Sequence, residues 1–295
     1  MKYSKLLHNP GAGSGEISGK ELQRKIQSAG YSCEYSNLKE DELTEEDLSK
    51  VDFIALAGGD GTVRKVARQL IGKNIPMGLL PMGTANNIAQ TLNISGNTDE
   101  IVKNWSENKI KNFDIGRVSG LEKPRFFLES FGFGLFPRLM TEMEIQNKSE
   151  TGTTETRLNN ALEILYELIL KYEARLCRVI VDHMEYTGKF LLVEVMNISS
   201  IGPKLNLAPF ADPGDGEFDL VMITENQREE FATYIYHKME GKEDPWFFNI
   251  IRCKYLQIFW DGTEVHVDDK NIKIPGAAEV QVKIQEKALQ FLLTS

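Results

Sequence analysis

Three short segments carry the residues whose chemistry is hardest to explain as scaffolding: "HNPGAGSG" (8–15), "AGGDGT" (57–62) and "PMGTANN" (81–87). Glycines let the main chain adopt positive φ and come close to a ligand, so that backbone N–H groups can turn toward an anion. Thr62 and Thr84 read as N-caps of the helices that follow, whose amino ends attract negative charge. Three such turns together suit a polyphosphate. Asp60, set among Gly58, Gly59 and Gly61, adds a second requirement. A carboxylate beside phosphates is repulsive unless a cation lies between them, which points to Mg²⁺. Two common phosphate motifs are excluded by spelling. Glu16 stands where GxGxxG needs its third glycine, and no GxxxxGK[ST] occurs. Tight turns alone would explain any one of these loops, but poorly explain three in successive units.

The surrounding pattern places the loops. "YSKLLH" (3–8), "YSCEYSN" (31–37), "VDFIALA" (51–57) and "IPMGLLP" (75–81) read as strands, with "ISGKELQRKIQSAG" (17–30) a helix closed by glycine. Val63, Val66, Ala67, Leu70 and Ile71 recur at helical spacing, as do Ala85, Ile88, Ala89 and Leu92. Continuous apolar strands alternating with helices predict an open parallel sheet covered on both faces. Ligands bind at the carboxyl edge of such sheets, where these three loops fall. Past Asp114 the runs become short and alternating, from "RFFLESFGFGL" to "EVQVKI", and predict an antiparallel sandwich or barrel. One amphipathic helix, 157–176, interrupts it with a stripe of Leu158, Leu162, Leu165, Leu168, Ile169 and Tyr172. The polar stretch 141–157 before it reads as a mobile loop. The expected division is 1–115 for the α/β domain and 116–285 for the β-rich domain, with 286–295 a candidate to rejoin the first.

"GGDGT" followed about twenty residues later by "LPMGTANN" resembles the diacylglycerol kinase catalytic superfamily, which includes bacterial lipid kinases and sphingosine kinases and is distantly similar to NAD kinases. "HNPGAGSG", "FDIGRV" (113–118), "LAPFADPGDGEFDLVMI" (207–223) and "VHVDDKNIKI" (265–274) match further motifs of that family in order. The resemblance implies an NAD kinase-like α/β domain followed by a β-sandwich. It also implies an ATP- and Mg²⁺-dependent kinase that transfers the γ-phosphoryl group to a hydroxyl of a lipid or other amphiphile. By the same resemblance, Asn9, Gly58, Gly59, Gly61, Thr62, Gly83, Thr84 and Asn86 would cradle ATP. Asp60 and Asp114, with Asn87 nearby, would hold Mg²⁺. Asp212, Asp215 and the backbone carbonyl of Glu217 would hold a second, structural Mg²⁺, with an acidic turn as the plainer alternative. Asp268 would be the general base, preferred over Asp261 of "WDGTE"; the plainer reading of Asp268–Asp269 is a hairpin turn.

Three positions depart from the family pattern. Lys65 stands for a glutamate, Asn87 for an aspartate, and Asp269-Lys270 for Gly-Glu after the base. They leave open a redirected substrate, such as an anionic headgroup, or a degenerate nucleotide-binding regulatory protein. A small-molecule kinase of NAD kinase-like type is the other alternative.

Bulk properties set limits on partners. The chain has 295 residues, 41% of them hydrophobic, and a net charge of −9, which argues against nucleic acid. No run approaches the roughly 20 apolar residues of a membrane span, and no signal peptide is expected. Cys33, Cys177 and Cys253 form no CxxC pair, which argues for a reducing cytoplasm and against zinc. The expected setting is cytoplasmic, with peripheral contact to the inner membrane as an option. The 157–176 stripe is a candidate membrane or homodimer face, core packing being the plainer reading. The aromatic cluster "DPWFFNIIR" (244–252) is a candidate lipid contact on the same terms. His8, His183, His237 and His266 have no metal-ligand partner at useful spacing and read as structural or surface residues.

Overall fold

The computed structural model describes residues 1–12, 17–146, 154–242 and 248–294. The rest of the first glycine loop (13–15) with residue 16, the centre of the stretch 141–157, and residues 244–247 of the aromatic cluster at 244–252 lie outside the described residues. The chain divides into two compact units: Met1–Asp114 with Glu286–Ser295, and Ile115–Gln285.

The first unit runs β1 (Tyr3–His8), α1 (Gly19–Ser28), β2 (Ser32–Asn37), α2 (Glu45–Lys50), β3 (Phe53–Gly58), α3 (Asp60–Leu70), β4 (Met77–Pro81), α4 (Asn87–Thr91) and α5 (Thr98–Asn104). The strands pair in parallel in the order β2-β1-β3-β4. Beyond β4, Phe291 and Leu292 near the chain's end add a further parallel neighbour. All six residues of β3 are buried, as a parallel strand covered on both faces requires. Tyr31, Phe53 and Trp105 meet edge to face in this unit's core.

The second unit is antiparallel. Its strands are β5 (Ile110–Ser119, entering from the first unit), β6 (Arg125–Phe127), β7 (Ser130–Gly134), β8 (Arg175–Val181), β9 (Met184–Met196), β10 (Ser200–Ile201), β11 (Leu205–Asn206), β12 (Phe218–Thr224), β13 (Ile250–Cys253), β14 (Tyr255–Trp260), β15 (Glu264–Val267), β16 (Lys270–Lys273) and β17 (Ala278–Leu292, leaving for the first unit). The long strand β9 pairs with β8, β7 and β12. Its side chains alternate between two cores, as period-2 geometry demands. Val193 and Val195 join Phe131, Phe133 and Trp260 in one. Leu192 and Met196 join the other, with residues of three helices: α6 (Leu135–Gln146), α7 (Thr154–Lys171) and α8 (Arg228–Met239).

Among the described residues, three helices rather than one therefore cover this sheet. The expected helix over 157–176 stops at Lys171, and "RLCRVIV" forms β8 instead. Its β-branched residues and its pairing to β9 and β14 outweigh the helical spacing of Leu176. Leu162, Leu165 and Ile169 are buried against the unit's own core, which satisfies most of the stripe internally. Part of the expected loop 141–157 is helical too, since α6 extends to Gln146. Among the described residues, no helix is long and apolar enough to cross a membrane.

Asp219 on β12 is a buried acid, 8% exposed. Burial raises its pKa to about 6; Arg252 opposite it lowers the value, and Asp215 and Glu217 raise it. The unfolded chain ionises near the ordinary value of 3.8, so this group's contribution is best below that pH and is lost as pH rises toward 6. Asp219→Asn is therefore expected to stabilise the protein by about 3 kcal/mol at neutral pH. It should also flatten the stability profile between about pH 4 and 6, as read by urea unfolding across that range.

Candidate functional site

The three glycine-bearing strand ends of the first unit are bound to one another by their own side chains and backbone. Asn9, just past β1, donates its N–H to the carbonyl of Ala57 and its side-chain amide to Thr62 Oγ1, at 3.1 Å. Its side-chain oxygen accepts from Gly11 N–H, which curls the first loop. Met82 N–H donates to the Gly58 carbonyl, joining the second loop to the third. The closest approach is between glycines: a Cβ on Gly59 would lie 2.8 Å from Gly83 Cα, and one on Gly83 2.5 Å from Gly59 Cα. Neither position tolerates a side chain while the loops stay in contact.

The helices begin differently from the spelling. α3 starts at Asp60 with Gly59 as N-cap, and α4 at Asn87 with Asn86 as N-cap; neither cap supplies a side-chain bond. Thr62 is instead buried within the first turn of α3, holding Asn9. Thr84 is half-buried in the turn between β4 and α4. Asn86, in left-handed conformation at φ 54°, is bonded reciprocally to Gly83, accepting from its N–H at 2.8 Å and donating to its carbonyl at 2.9 Å. Asn9, Thr62 and Asn86 thus shape the loops. The uncapped amino end of α3, including Gly61, leaves backbone donors for an anion.

Asp60 connects the two helices. As the first residue of α3 it complements that helix's positive end, and its carboxylate reaches the start of α4. Asp60 Oδ2 accepts from Asn87 N–H and Oδ1 from Ile88 N–H, both at 3.1 Å. A carboxylate oxygen has a second lone pair, so these bonds leave acceptor capacity. Beside them, the buried Asn87 Oδ1 finds no hydrogen-bond partner among the described residues. An orphaned amide oxygen next to a carboxylate is a donor set that fits a hard cation such as Mg²⁺. Asp114, buried on β5, makes its bond elsewhere: Oδ1 accepts from Lys287 N–H at 2.6 Å. Lys65, at the family's glutamate position, turns to the Leu38 carbonyl at 3.1 Å.

Among the described residues no three His, Cys, Asp or Glu side chains gather as a ready-made metal site. This bears directly on the second expected ion. Asp212 Oδ1 accepts from Gly214 N–H and Asp215 Oδ1 from Glu217 N–H, at 2.9 and 3.0 Å. Arg252 pairs with Asp215 and, at 2.9 Å, with Glu217. The Asp215 and Glu217 side chains thus share the Arg252 guanidinium, while the group that the resemblance assigns to the ion at position 217 is the backbone carbonyl. Arg252 is distant in the chain and reaches the loop through β12–β13 pairing, which no local motif announces.

Asp268, in the second unit, forms with Asp269 the two-residue turn between β15 and β16. It adopts φ 53°, a left-handed conformation uncommon outside glycine, asparagine and aspartate. Compensation comes from the backbone of residues 128–130. Asp268 Oδ1 accepts from Leu128, Glu129 and Ser130 N–H at 3.0, 2.8 and 3.4 Å, and Asp268 N–H donates to the Ser130 carbonyl. Oδ2 takes only a longer contact of 3.3 Å from Leu128 N–H within that set. Asp261, the alternative, is exposed just beyond β14.

Residues 4–118 match the diacylglycerol kinase catalytic domain, and residues 144–244 the YegS C-terminal NAD kinase beta sandwich-like domain. The chain is 25% identical over 305 residues to a diacylglycerol kinase of Bacillus subtilis, covering 97% of this chain and 88% of that one. It is 26% identical over 245 residues to a diacylglycerol kinase of Staphylococcus aureus, covering 78% and 73%. The crystal structure of a diacylglycerol kinase from Bacillus anthracis superposes with a TM-score of 0.72 at 20% identity, covering 99% of this chain and 97% of that one, and so shares its fold. The chain therefore carries a diacylglycerol kinase catalytic domain followed, in order, by a YegS-type C-terminal domain.

Proposed function

We propose that this protein is an ATP- and Mg²⁺-dependent kinase that phosphorylates a hydroxyl of a lipid or other amphiphile. The observation that carries the proposal is the Asp60 carboxylate spanning the starts of α3 and α4, beside the orphaned oxygen of Asn87. Gly58, Gly59, Gly61 and Gly83 keep the backbone open to the nucleotide's phosphates, and Asn9, Thr62, Thr84 and Asn86 hold the loops in that shape. Asp60 and Asn87, with Asp114, would hold Mg²⁺, which when bound neutralises charge on the phosphates during transfer. Asp268 takes the proton of the attacking hydroxyl. The relatives' name supports a diacylglycerol-like acceptor.

The direct test is transfer of labelled γ-phosphate into a whole-lipid extract, with identification of the product. Label confined to water-soluble material would remove the lipid assignment. Asp268→Asn is expected to leave ATP affinity within about twofold and to lower transfer by about 10²–10⁴-fold. Equal ATP affinity in wild type and variant with transfer from neither would instead indicate a regulatory nucleotide-binding protein. Asp60→Asn should weaken Mg·ATP binding itself, because it exchanges an anionic acceptor for an amide that also donates. Magnesium removal has a two-part expectation. EDTA should abolish transfer but leave the melting temperature of the nucleotide-free protein unchanged, since Arg252 already closes the acidic loop. A melting temperature that falls on chelation would restore a structural ion.

A further inference from the structure

Glu194, Gly132 and His266 lie in one row across three neighbouring strands. Gly132 of β7 is paired with Glu194 of β9 on one side and with His266 of β15 on the other. The middle position has no side chain, so carboxylate and imidazole meet over it, with His266 Nε2 2.7 Å from Glu194 Oε1. A Cβ on Gly132 would lie 2.0 Å from Glu194 Oε2, which makes glycine a condition of the contact. Both side chains are closed to water, at 1% and 0% exposure. Phe136 of α6 stands edge-on to the imidazole, with ring centroids 6.3 Å apart.

The other ring nitrogen faces the candidate base. His266 Nδ1 is 2.9 Å from the Asp268 carbonyl oxygen. A carbonyl only accepts, so Nδ1 carries the hydrogen. Burial by itself would lower the His266 pKa. The charge and hydrogen bond of Glu194, with the Asp268 carbonyl, outweigh burial and raise it. The charged groups facing the ring are Glu194 from β9 and Asp268 at the turn; Gly132, Phe136 and the cross-strand neighbour Asn271 are neutral. The two ring nitrogens thus face two acceptors, the Glu194 carboxyl and the Asp268 carbonyl, an arrangement that favours the doubly protonated ring. A buried ion pair adds little net stability over apolar side chains of similar size. Leu192 and Met196 on the same face of β9 show that apolar residues are accommodated there. What the pair adds is direction: a donor fixed on one carbonyl.

We propose that His266, locked by Glu194 across Gly132, is a positioning residue for Asp268, pinning its carbonyl and so holding the left-handed turn in which the carboxylate meets the N–H groups of residues 128–130. The proposal rests on the reading of Asp268 as the base. It adds two residues, His266 and Glu194, that the metal and nucleotide assignments leave aside.

Nitrogen NMR of the wild-type protein with ¹⁵N-labelled histidine is expected to find His266 Nδ1 protonated throughout the range over which the protein is folded. An unprotonated Nδ1 at neutral pH would overturn the proposal without any variant. Variants built on Glu194→Gln, which removes the buried charge, then separate the two roles of the ring. His266→Asn keeps an amide near Nδ1 that can donate to the Asp268 carbonyl; His266→Gln reaches toward position 194 and loses that bond. His266→Gln should lower kcat about tenfold or more at unchanged KM for ATP and speed hydrogen exchange at Leu128 and Glu129. His266→Asn should stay within about threefold of its parent in both. Equal losses in the two variants, or unchanged exchange in both, would reduce the pair to packing. If the wild type transfers no phosphate at all, the kinase reading fails, while tautomer and amide exchange still decide the positioning role.

Discussion

One carboxylate bridging two helix starts organises the first unit's loop edge. Asp60 lies at the amino end of α3 and accepts from the first N–H groups of α4. Those donors have no intrahelical partner, so an anion there serves both helices at once. The two glycines in near contact, Gly59 and Gly83, are the steric condition for this bridge, because a side chain on either would part the loops. The resulting edge presents uncapped backbone donors on a rigid scaffold. The proposed phosphate site draws on the same groups that hold the loops together.

The second unit solves a comparable problem with different parts. Its Asp268 sits where a two-residue turn takes a left-handed backbone, a conformation that few residues besides glycine, asparagine and aspartate adopt. Three backbone N–H groups and a buried histidine hold it there. A hairpin turn and a candidate catalytic group are therefore one structure, and the plain and functional readings of Asp268–Asp269 do not compete. The acidic loop at 212–217 differs: there a guanidinium from the neighbouring strand sits against two of the carboxylates.

Much of this was legible from residue order. The strand–loop–helix alternation of the first unit and its glycine loops are local features, set by runs and turns a few residues long. What escaped was non-local. Helical spacing carried the expected helix through Leu176 because period alone does not report that β9 and β14 wait on either side. Thr62 and Thr84 have N-cap chemistry, but Asp60 starts α3 earlier, and Thr62 is used by Asn9. Arg252 and the acidic loop, or Glu194 and His266, meet only through strand pairing. A trace of the last pair was present: the lone acid of "FLLVEVMN" falls where alternation points inward, and a buried carboxylate requires a partner.

The chain's closing strand has a consequence for biosynthesis. Phe291 and Leu292 pair with Met77 and Gly78 of β4, so the sheet of the amino-terminal unit gains this neighbour from residues translated more than two hundred positions later. While the ribosome is still making the second unit, the β4 margin lacks these hydrogen bonds and offers an open template to other nascent chains. Synthesis of this protein thus contains an interval in which its earliest part is formed but not yet sealed.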